Sequence, residues 1–143
     1  MTTNEMKTLI RRNIEEVWVK GNVDAHEDHS HSHRVTHRPV HGKMKGHAEH
    51  KSHPEAVKNA FSNVRITIDH LIAEGDMAAA RLTIHAKHTG EFWGIAPTGK
   101  EIKITGMHMY RIEDGKIAEA WSEEDLLGLL RQLGVMPALA LPA

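Results

Sequence analysis

The sequence predicts an α+β fold in which a long antiparallel sheet curls around a group of helices. Apolar and polar residues alternate over residues 101–112, which is the period of a half-buried strand. Asp114-Gly115 follows directly and is the dipeptide that a two-residue type I′ hairpin turn prefers. Residues 3–20 instead repeat apolar side chains at the spacing of an amphipathic helix. Because long strands twist and curl, such a sheet closes around its helices as a cone with an open end.

The other elements follow from turn residues and apolar spacing. Helices are expected over residues 24–30 and over residues 54–62, where Pro54 suits the first helical turn. A closing helix is expected over residues 124–133, with Ser122 as N-cap and Gly134 as C-cap. Besides the strand over 101–112, the pattern predicts strands over residues 64–73, 77–89 and 116–123 and a short extra segment over 34–40.

Alternation also predicts which side chains share a face. In the strand over 64–73 it groups Ile68, His70 and Ile72 on one face and puts Leu71 on the other. In the strand over 101–112 it puts His108 on the apolar face, with Tyr110. The outward positions of that strand include Met107 and Met109.

Length and composition bound the class of protein. A chain of 143 residues makes one domain that buries roughly 70% of its unfolded surface, expected over residues 1–134 with a tail over 135–143. The absence of cysteine excludes disulfides and thiolate chemistry. The charges of eighteen basic and nineteen acidic residues nearly cancel, so we expect no strong positive field that would attract nucleic acid. Without a signal-like segment or a membrane-length apolar run, the sequence predicts a soluble cytoplasmic protein.

The hairpin brings together the best candidate site. Opposite residues of a two-residue hairpin keep a constant sum of positions, so His108 is expected to face Trp121. On the same rule Gly106 faces Glu123, and Tyr110 faces Glu119. One imidazole, one indole and two carboxylates therefore share an inner face.

Acid/base chemistry is one interpretation of this cluster. Abstraction of a proton α to a carbonyl needs a base, and burial beside Trp121 would raise the pKa of a carboxylate toward neutrality. A carboxylate beside Trp121 is the candidate base, and His108 would donate to the developing oxyanion. The alternative is a core histidine that is hydrogen-bonded to Glu119 or Glu123, with Trp121 as packing.

Two further residues are candidates for the pocket wall. Trp93 lies in a loop over residues 90–99 and is expected to cap a pocket or a dimer seam. His85 lies in the strand over 77–89, where the pattern leaves open whether its face is concave or solvent-exposed.

Nine of the thirteen histidines lie within residues 26–53. His29, His31 and His33 would share a strand face, and residues 47, 50 and 53 would share a helix face, which are spacings compatible with a metal site. The favoured interpretation is that these histidines occupy ordinary surface and half-buried positions, because no carboxylate-histidine motif accompanies them. No metal is therefore predicted.

Several segments together resemble a known family. They are residues 72–76 (IAEGD), 88–92 (HTGEF), 94–100 (GIAPTGK), 110–117 (YRIEDGKI), 119–121 (EAW) and 125–130 (DLLGLL). In this respect the chain is similar to the SnoaL-like polyketide cyclases, or ester cyclases, of the NTF2-like superfamily. The resemblance implies the same α+β cone, a small-molecule ligand, a homodimer formed through the convex sheet face, and an intramolecular aldol ring closure that uses no cofactor.

The resemblance also implies roles for single residues. His108 matches a polar position of the third strand, and His37 looks like the histidine that follows the second helix in many members. Relatives often carry Asp directly after the tryptophan, where this chain has Ser122, so the acid/base role passes to Glu123 or Asp125.

Three classes of function follow from these observations. The first is an enzyme of aldol or isomerisation chemistry on a small apolar carbonyl compound. The second is a binding protein that holds such a ligand without turnover, which Ser122 in place of the acid favours. The third is a metal-binding protein built on the histidine cluster, for which tight metal uptake is expected.

Overall fold

The computed structural model describes residues 1–136. Leu139 and Leu141, apolar tail residues that we expect to pack on a neighbouring surface, lie outside this range. The helices are α1 (Thr3–Asn13), α2 (His26–His29), α3 (Gly46–Ala60) and α4 (Leu126–Leu133). The strands are β1 (Ser30–His37), β2 (Met44–Lys45), β3 (Phe61–Glu74), β4 (Met77–His88), β5 (Glu101–Glu113) and β6 (Lys116–Glu124).

The six strands form one sheet in the order β2-β1-β6-β5-β4-β3. All neighbours are antiparallel except β1 and β6, which run parallel. The apolar face of α1 packs on one face of this sheet and contributes Met6, Leu9 and Ile10 to a core shared with β4, β5 and β6. The α+β class that the alternation predicts is confirmed. None of the helices within residues 1–136 combines the length and the apolar character that a membrane span requires.

The N-terminal helix forms as its pattern predicts. Thr2 and Glu5 form a capping box, which satisfies backbone N–H groups of the first turn. The helix continues beyond Asn13 as a π-helical segment, Ile14–Val19, whose buried residues are Ile14 and Val17. Such widened turns are frequent at functional sites.

The helix that contains Pro54 is longer than predicted. α3 begins at Gly46, so Pro54 lies inside the helix and not in its first turn. The prediction was wrong because it took Pro54 as a start signal, whereas the chain enters the helix through Gly46, whose φ of 74° favours glycine. The eight extra residues carry His47, His50 and His53 on the helix.

A β-bulge shifts the predicted register of the last hairpin. Ile112 pairs with Ile117 as expected, but Arg111 then pairs with Glu119, so Ala118 is an extra residue in β6. From that point every pairing moves by one: His108 faces Ser122, and Gly106 faces Glu124. The predicted pairs His108 with Trp121 and Gly106 with Glu123 are therefore wrong.

A second bulge corrects the predicted faces of β3. Ile68 pairs with Leu82, whereas His70 pairs with Arg81, so Asp69 is the extra residue. Beyond it Leu71 packs against the core, and Ile72 is 67% exposed. The prediction that Ile72 shares a face with Ile68 was wrong because simple alternation does not reveal an inserted residue.

This second bulge has a measurable consequence. We expect Leu71→Ala to lower the free energy of unfolding by about 1 to 2 kcal/mol, because the leucine is partly buried against the core. The control Ile72→Ala should change it by less than about 0.5 kcal/mol. Urea unfolding followed by tryptophan fluorescence measures both, and a larger loss for Ile72→Ala would contradict the bulge.

The closing helix begins two residues later than predicted. Asp125, not Ser122, is the N-cap of α4, and its carboxylate accepts a hydrogen bond of 2.9 Å from the Gly128 backbone N–H. Gly128 leaves no room for a side chain here, since an added Cβ would lie 2.1 Å from Asp125 Oδ2. Gly134 ends the helix in the left-handed conformation, as the sequence predicts.

Candidate active site

A cavity with two arms lies inside the curved sheet. Its polar arm is lined by residues of α1, α2, β1 and α3, among them Asn13, His26, Arg34, Thr36 and His50. Its apolar arm is lined mainly by aliphatic and aromatic side chains, among them Val57, Phe61, Val64, Ile66, Ile84 and Ile104. Both arms reach His108, Tyr110 and Glu124, so these three residues lie at the junction.

The junction residues form a chain of hydrogen bonds. His108 Nε2 lies 2.9 Å from Glu124 Oε1, and His108 Nδ1 lies 3.2 Å from the Tyr110 hydroxyl. A carboxylate only accepts hydrogen bonds, so Nε2 carries a proton and donates it to Glu124. In the neutral ring Nδ1 then accepts the hydroxyl proton of Tyr110. The direction of donation is therefore Tyr110 to His108 to Glu124.

The ionisation of Glu124 is set by opposing effects. Burial alone would raise its pKa, but the hydrogen bond that His108 donates and the positive charge of Arg38 bring the net pKa below its usual value. Glu124 is thus an ionised carboxylate near neutrality. Its second oxygen makes no hydrogen bond to residues 1–136 and is left for a ligand in the cavity.

Tyr110 remains protonated at this junction. It is 3% exposed, and burial raises its pKa to about 12, against a smaller opposing effect of Arg34. Because the hydroxyl keeps its proton, it can hold His108 in the tautomer that donates to Glu124.

The predicted catalytic carboxylates lie elsewhere. Glu123 is exposed and pairs with Met107 on the outward side of the hairpin. Asp125 is occupied as the N-cap of α4. The carboxylate beside His108 is Glu124, which the shifted register brings onto the inner face. The bulge at Ala118 is the physical reason for this difference.

The predicted pocket residues divide into two groups. Tyr110, Trp93 and Trp121 line the cavity, and Trp93, 41% exposed, lies beside His41 with ring centroids 4.7 Å apart. The others do not line either arm: His37, His85 and Glu119.

Each of these three residues has a different environment. His37 bonds to Glu119 at 2.7 Å and stacks on Trp121, while Glu119 also accepts from Arg111 at 3.3 Å. The hydrogen bond from His37 contributes most to lowering the pKa of Glu119. His85 pairs with Lys103 on the face of β4 opposite Leu82 and Ile84. Neither His85 nor the His37–Glu119 pair therefore faces the ligand space.

The histidines of the segment 26–53 contact one another and neighbouring aromatic rings. Within the described range, no three His, Asp or Glu side chains are arranged to hold a metal ion. His26 stacks on His50 at 5.0 Å and meets His47 edge-on at 5.4 Å, with each distance measured between ring centroids. His31 instead stacks on His33 near β5. Three histidines of α2 and α3, His26, His50 and His53, thus form part of the wall of the polar arm.

The sequence pattern did not predict several residues that line the cavity. Glu124 was missed because the bulge exchanges the faces of β6, and Asn13 because a polar residue at the end of an amphipathic helix gives no pattern. A signal did exist for Arg34, which is a charged residue at the start of the short segment predicted over residues 34–40.

The curved sheet, the enclosed helices and the cavity define an NTF2-like α+β cone. The family profile described as SnoaL-like polyketide cyclase matches residues 8–133. The chain therefore belongs to the SnoaL-like polyketide cyclase family, as the motifs predict.

Named relatives agree with this assignment. An aklanonic acid methyl ester cyclase of Streptomyces galilaeus is 35% identical over 79 residues, 54% of this chain and 55% of the relative. A nogalonic acid methyl ester cyclase of Streptomyces nogalater is 37% identical over 60 residues, 42% of this chain and 45% of the relative. The matched segments thus span about half the length of these relatives.

A solved structure matches over nearly the whole chain. TsrD from Streptomyces laurentii superposes with a TM-score of 0.84 and 26% sequence identity, covering 95% of this chain and 99% of that protein.

Proposed function

We propose that this protein catalyses an intramolecular aldol ring closure in which Glu124 is the base and His108 its hydrogen-bonded partner. The observation that carries the proposal is the His108–Glu124 pair at the junction of the apolar arm and the polar arm. A carboxylate with one free oxygen can take a proton from a bound carbon acid, and the apolar arm suits the ring system of a polyketide-like substrate.

The low pKa of Glu124 constrains the substrate. A weak base abstracts a proton efficiently only from an acidic carbon, so the reacting carbon should lie between two carbonyl groups. Glu124 takes this proton as the C–H bond breaks, and the resulting enolate carbon attacks a second carbonyl carbon of the same molecule. The new C–C bond leaves an alkoxide, to which protonated Glu124 returns the proton. The product is a β-hydroxy carbonyl compound isomeric with the substrate.

The names of the relatives supply the first substrates to test. Aklanonic acid methyl ester and nogalonic acid methyl ester should be converted by the purified protein to products of unchanged mass and altered retention in liquid chromatography. No cofactor is expected to be needed. Recovery of both esters unchanged, at the uncatalysed rate, would count against ring closure on substrates of this kind and favour binding without turnover.

We also propose that two copies associate through the outer face of the sheet. Met107 and Met109 are 61% and 46% exposed on β5, and Ile72 is exposed on β3. Apolar side chains exposed on one sheet face are typical of an interface between protein copies. This dimer stays a prediction.

A further inference from the structure

We propose that the polar arm is a carboxylate-binding site, in which Arg34 and Asn13 receive an anionic group of the ligand whose ring system fills the apolar arm. The inference rests on the proposed function only in taking this ligand to be the substrate. It differs from the relatives' printed substrates, in which the acid is a neutral methyl ester.

The first observation is a buried cation that has no counter-ion among residues 1–136. Arg34 is 7% exposed, and no Asp or Glu of residues 1–136 forms an ion pair with it. Its Nε donates to Thr36 Oγ1 at 3.2 Å and its Nη1 to Ser30 Oγ at 3.0 Å, both neutral acceptors. Nη2 makes no hydrogen bond to the described residues. Burying a charge is costly unless an opposite charge compensates it, so an anion bound in this arm is stabilised.

The acceptors of Arg34 are themselves oriented as a chain. His50 Nδ1 lies 2.7 Å from the Gly46 carbonyl, to which it must donate. In the neutral ring His50 Nε2 then accepts from Thr36 Oγ1 at 2.8 Å, which turns the hydroxyl oxygen toward Arg34. Burial lowers the pKa of His50 to about 4, in agreement with a neutral ring. The guanidinium is therefore fixed in place before any ligand binds.

The second observation is a pair of buried polar atoms that point to a missing partner. Asn13 Nδ2 and His26 Nε2 have no hydrogen-bond partner within the described range, and their residues are 3% and 2% exposed. Both residues line the polar arm with Arg34. Native proteins rarely leave such atoms unsatisfied. An amide N–H and a guanidinium edge together suit the two oxygens of a carboxylate, which Arg binds with bidentate geometry.

The charges around the arm agree with an anion. Arg38, the residue directly after β1, also lines it, and burial lowers the pKa of Arg38 without removing its charge near neutrality. The facing imidazoles of His26, His50 and His53 are neutral because burial, with the charge of Arg34 or Arg38, lowers their pKa values. Glu124 is the one acidic residue of this lining within residues 1–136, and His108 engages it.

A matched pair of ligands tests the site. Titration calorimetry of 2-naphthoate and methyl 2-naphthoate should show the acid binding to the wild type at least about tenfold more tightly than the ester. Arg34→Met should weaken binding of the acid by about tenfold and binding of the ester by less than about twofold. The control Arg65→Met changes an exposed arginine of β3 and should affect neither. Equal binding of acid and ester by the wild type, or an unchanged preference in Arg34→Met, would overturn the proposal.

A second variant keeps the test decisive should Arg34→Met fail to fold. Asn13→Asp is nearly isosteric and places a negative charge in the arm. It should therefore weaken binding of the acid by about tenfold and leave binding of the ester unchanged. An unchanged preference for the acid would count against the site. Glu124→Gln should slow turnover by about 100-fold or more and keep the preference for binding the acid. If the wild type binds the acid more tightly than the ester but cyclises no substrate, only the proposed function is contradicted. If it cyclises a substrate but binds acid and ester equally, only the carboxylate site is contradicted.

Discussion

Glu124→Gln is expected to lower the rate constant of cyclisation by about 100-fold or more, whereas Glu123→Gln leaves it within about twofold. The two variants make the same chemical change at adjacent positions of β6. Glu124 accepts from His108 at 2.9 Å at the junction of the cavity, while Glu123 is exposed. The amide keeps the shape of the carboxylate and removes its basicity, so the comparison isolates proton abstraction from packing.

Single-turnover rates with aklanonic acid methyl ester, or whichever ester the wild type converts, measure this effect. Urea unfolding of each variant serves as the control for folding. If Glu123→Gln lost the activity and Glu124→Gln kept it, the bulge at Ala118 would be absent in solution and the original two-residue register would hold. If both variants remained fully active, no carboxylate of β6 would be the base.

The protein is expected to lose about 2 to 4 kcal/mol of its free energy of unfolding between about pH 7 and pH 5. His26 and His50 are 2% and 4% exposed. Burial, together with the charge of Arg34, lowers the pKa of His26 to about 2 and that of His50 to about 4. In the unfolded chain both rings titrate near their usual 6.5.

Stability falls as the pH falls because the unfolded chain takes up more protons than the folded protein. Above pH 6.5 both states are neutral at these rings, and their full contribution to stability is present. Between about pH 6.5 and 4 these rings bind protons in the unfolded chain but not in the folded protein. The free energy of unfolding therefore falls by up to about 1.4 kcal/mol per pH unit for each ring. For His50 the loss levels off below about pH 4, and for His26 it continues toward about pH 2.

Variants assign this acid sensitivity. His26→Gln should reduce the stability loss between about pH 7 and pH 5 by about 1 to 2 kcal/mol, and the exposed control His70→Gln should leave the loss unchanged. Urea unfolding at several pH values, followed by tryptophan fluorescence, gives the free energies. A stability that does not vary over this range, or that varies equally in both variants, would show that the buried rings are not neutral.

The strands and their turns could be predicted because they depend on local chemistry. Asp114-Gly115 fixed the hairpin position and the pairing of Ile112 with Ile117, as observed. The segment over residues 101–112 kept its alternation throughout β5, so His108 and Tyr110 face inward as expected. These features need no knowledge of what packs on the sheet.

The predictions failed where one inserted residue changes the face of a strand. Ala118 and Asp69 look like ordinary members of alternating segments, yet each is the extra residue of a bulge. Whether a bulge forms depends on the curvature that the packed helices impose, which is a tertiary property. The polar arm was missed for a similar reason: Asn13, His26 and Arg34 come from three different elements, and only the folded chain brings them to one cavity.

The most direct test of the central claim is the ring ¹⁵N spectrum of His108, identified by its loss in His108→Gln. At neutral pH we expect a protonated Nε2 and an unprotonated Nδ1, and these signals should shift in Glu124→Gln but not in Glu123→Gln. A ring protonated at Nδ1, or signals that respond to residue 123 and not to residue 124, would contradict the hydrogen-bonded chain on which the proposed chemistry depends.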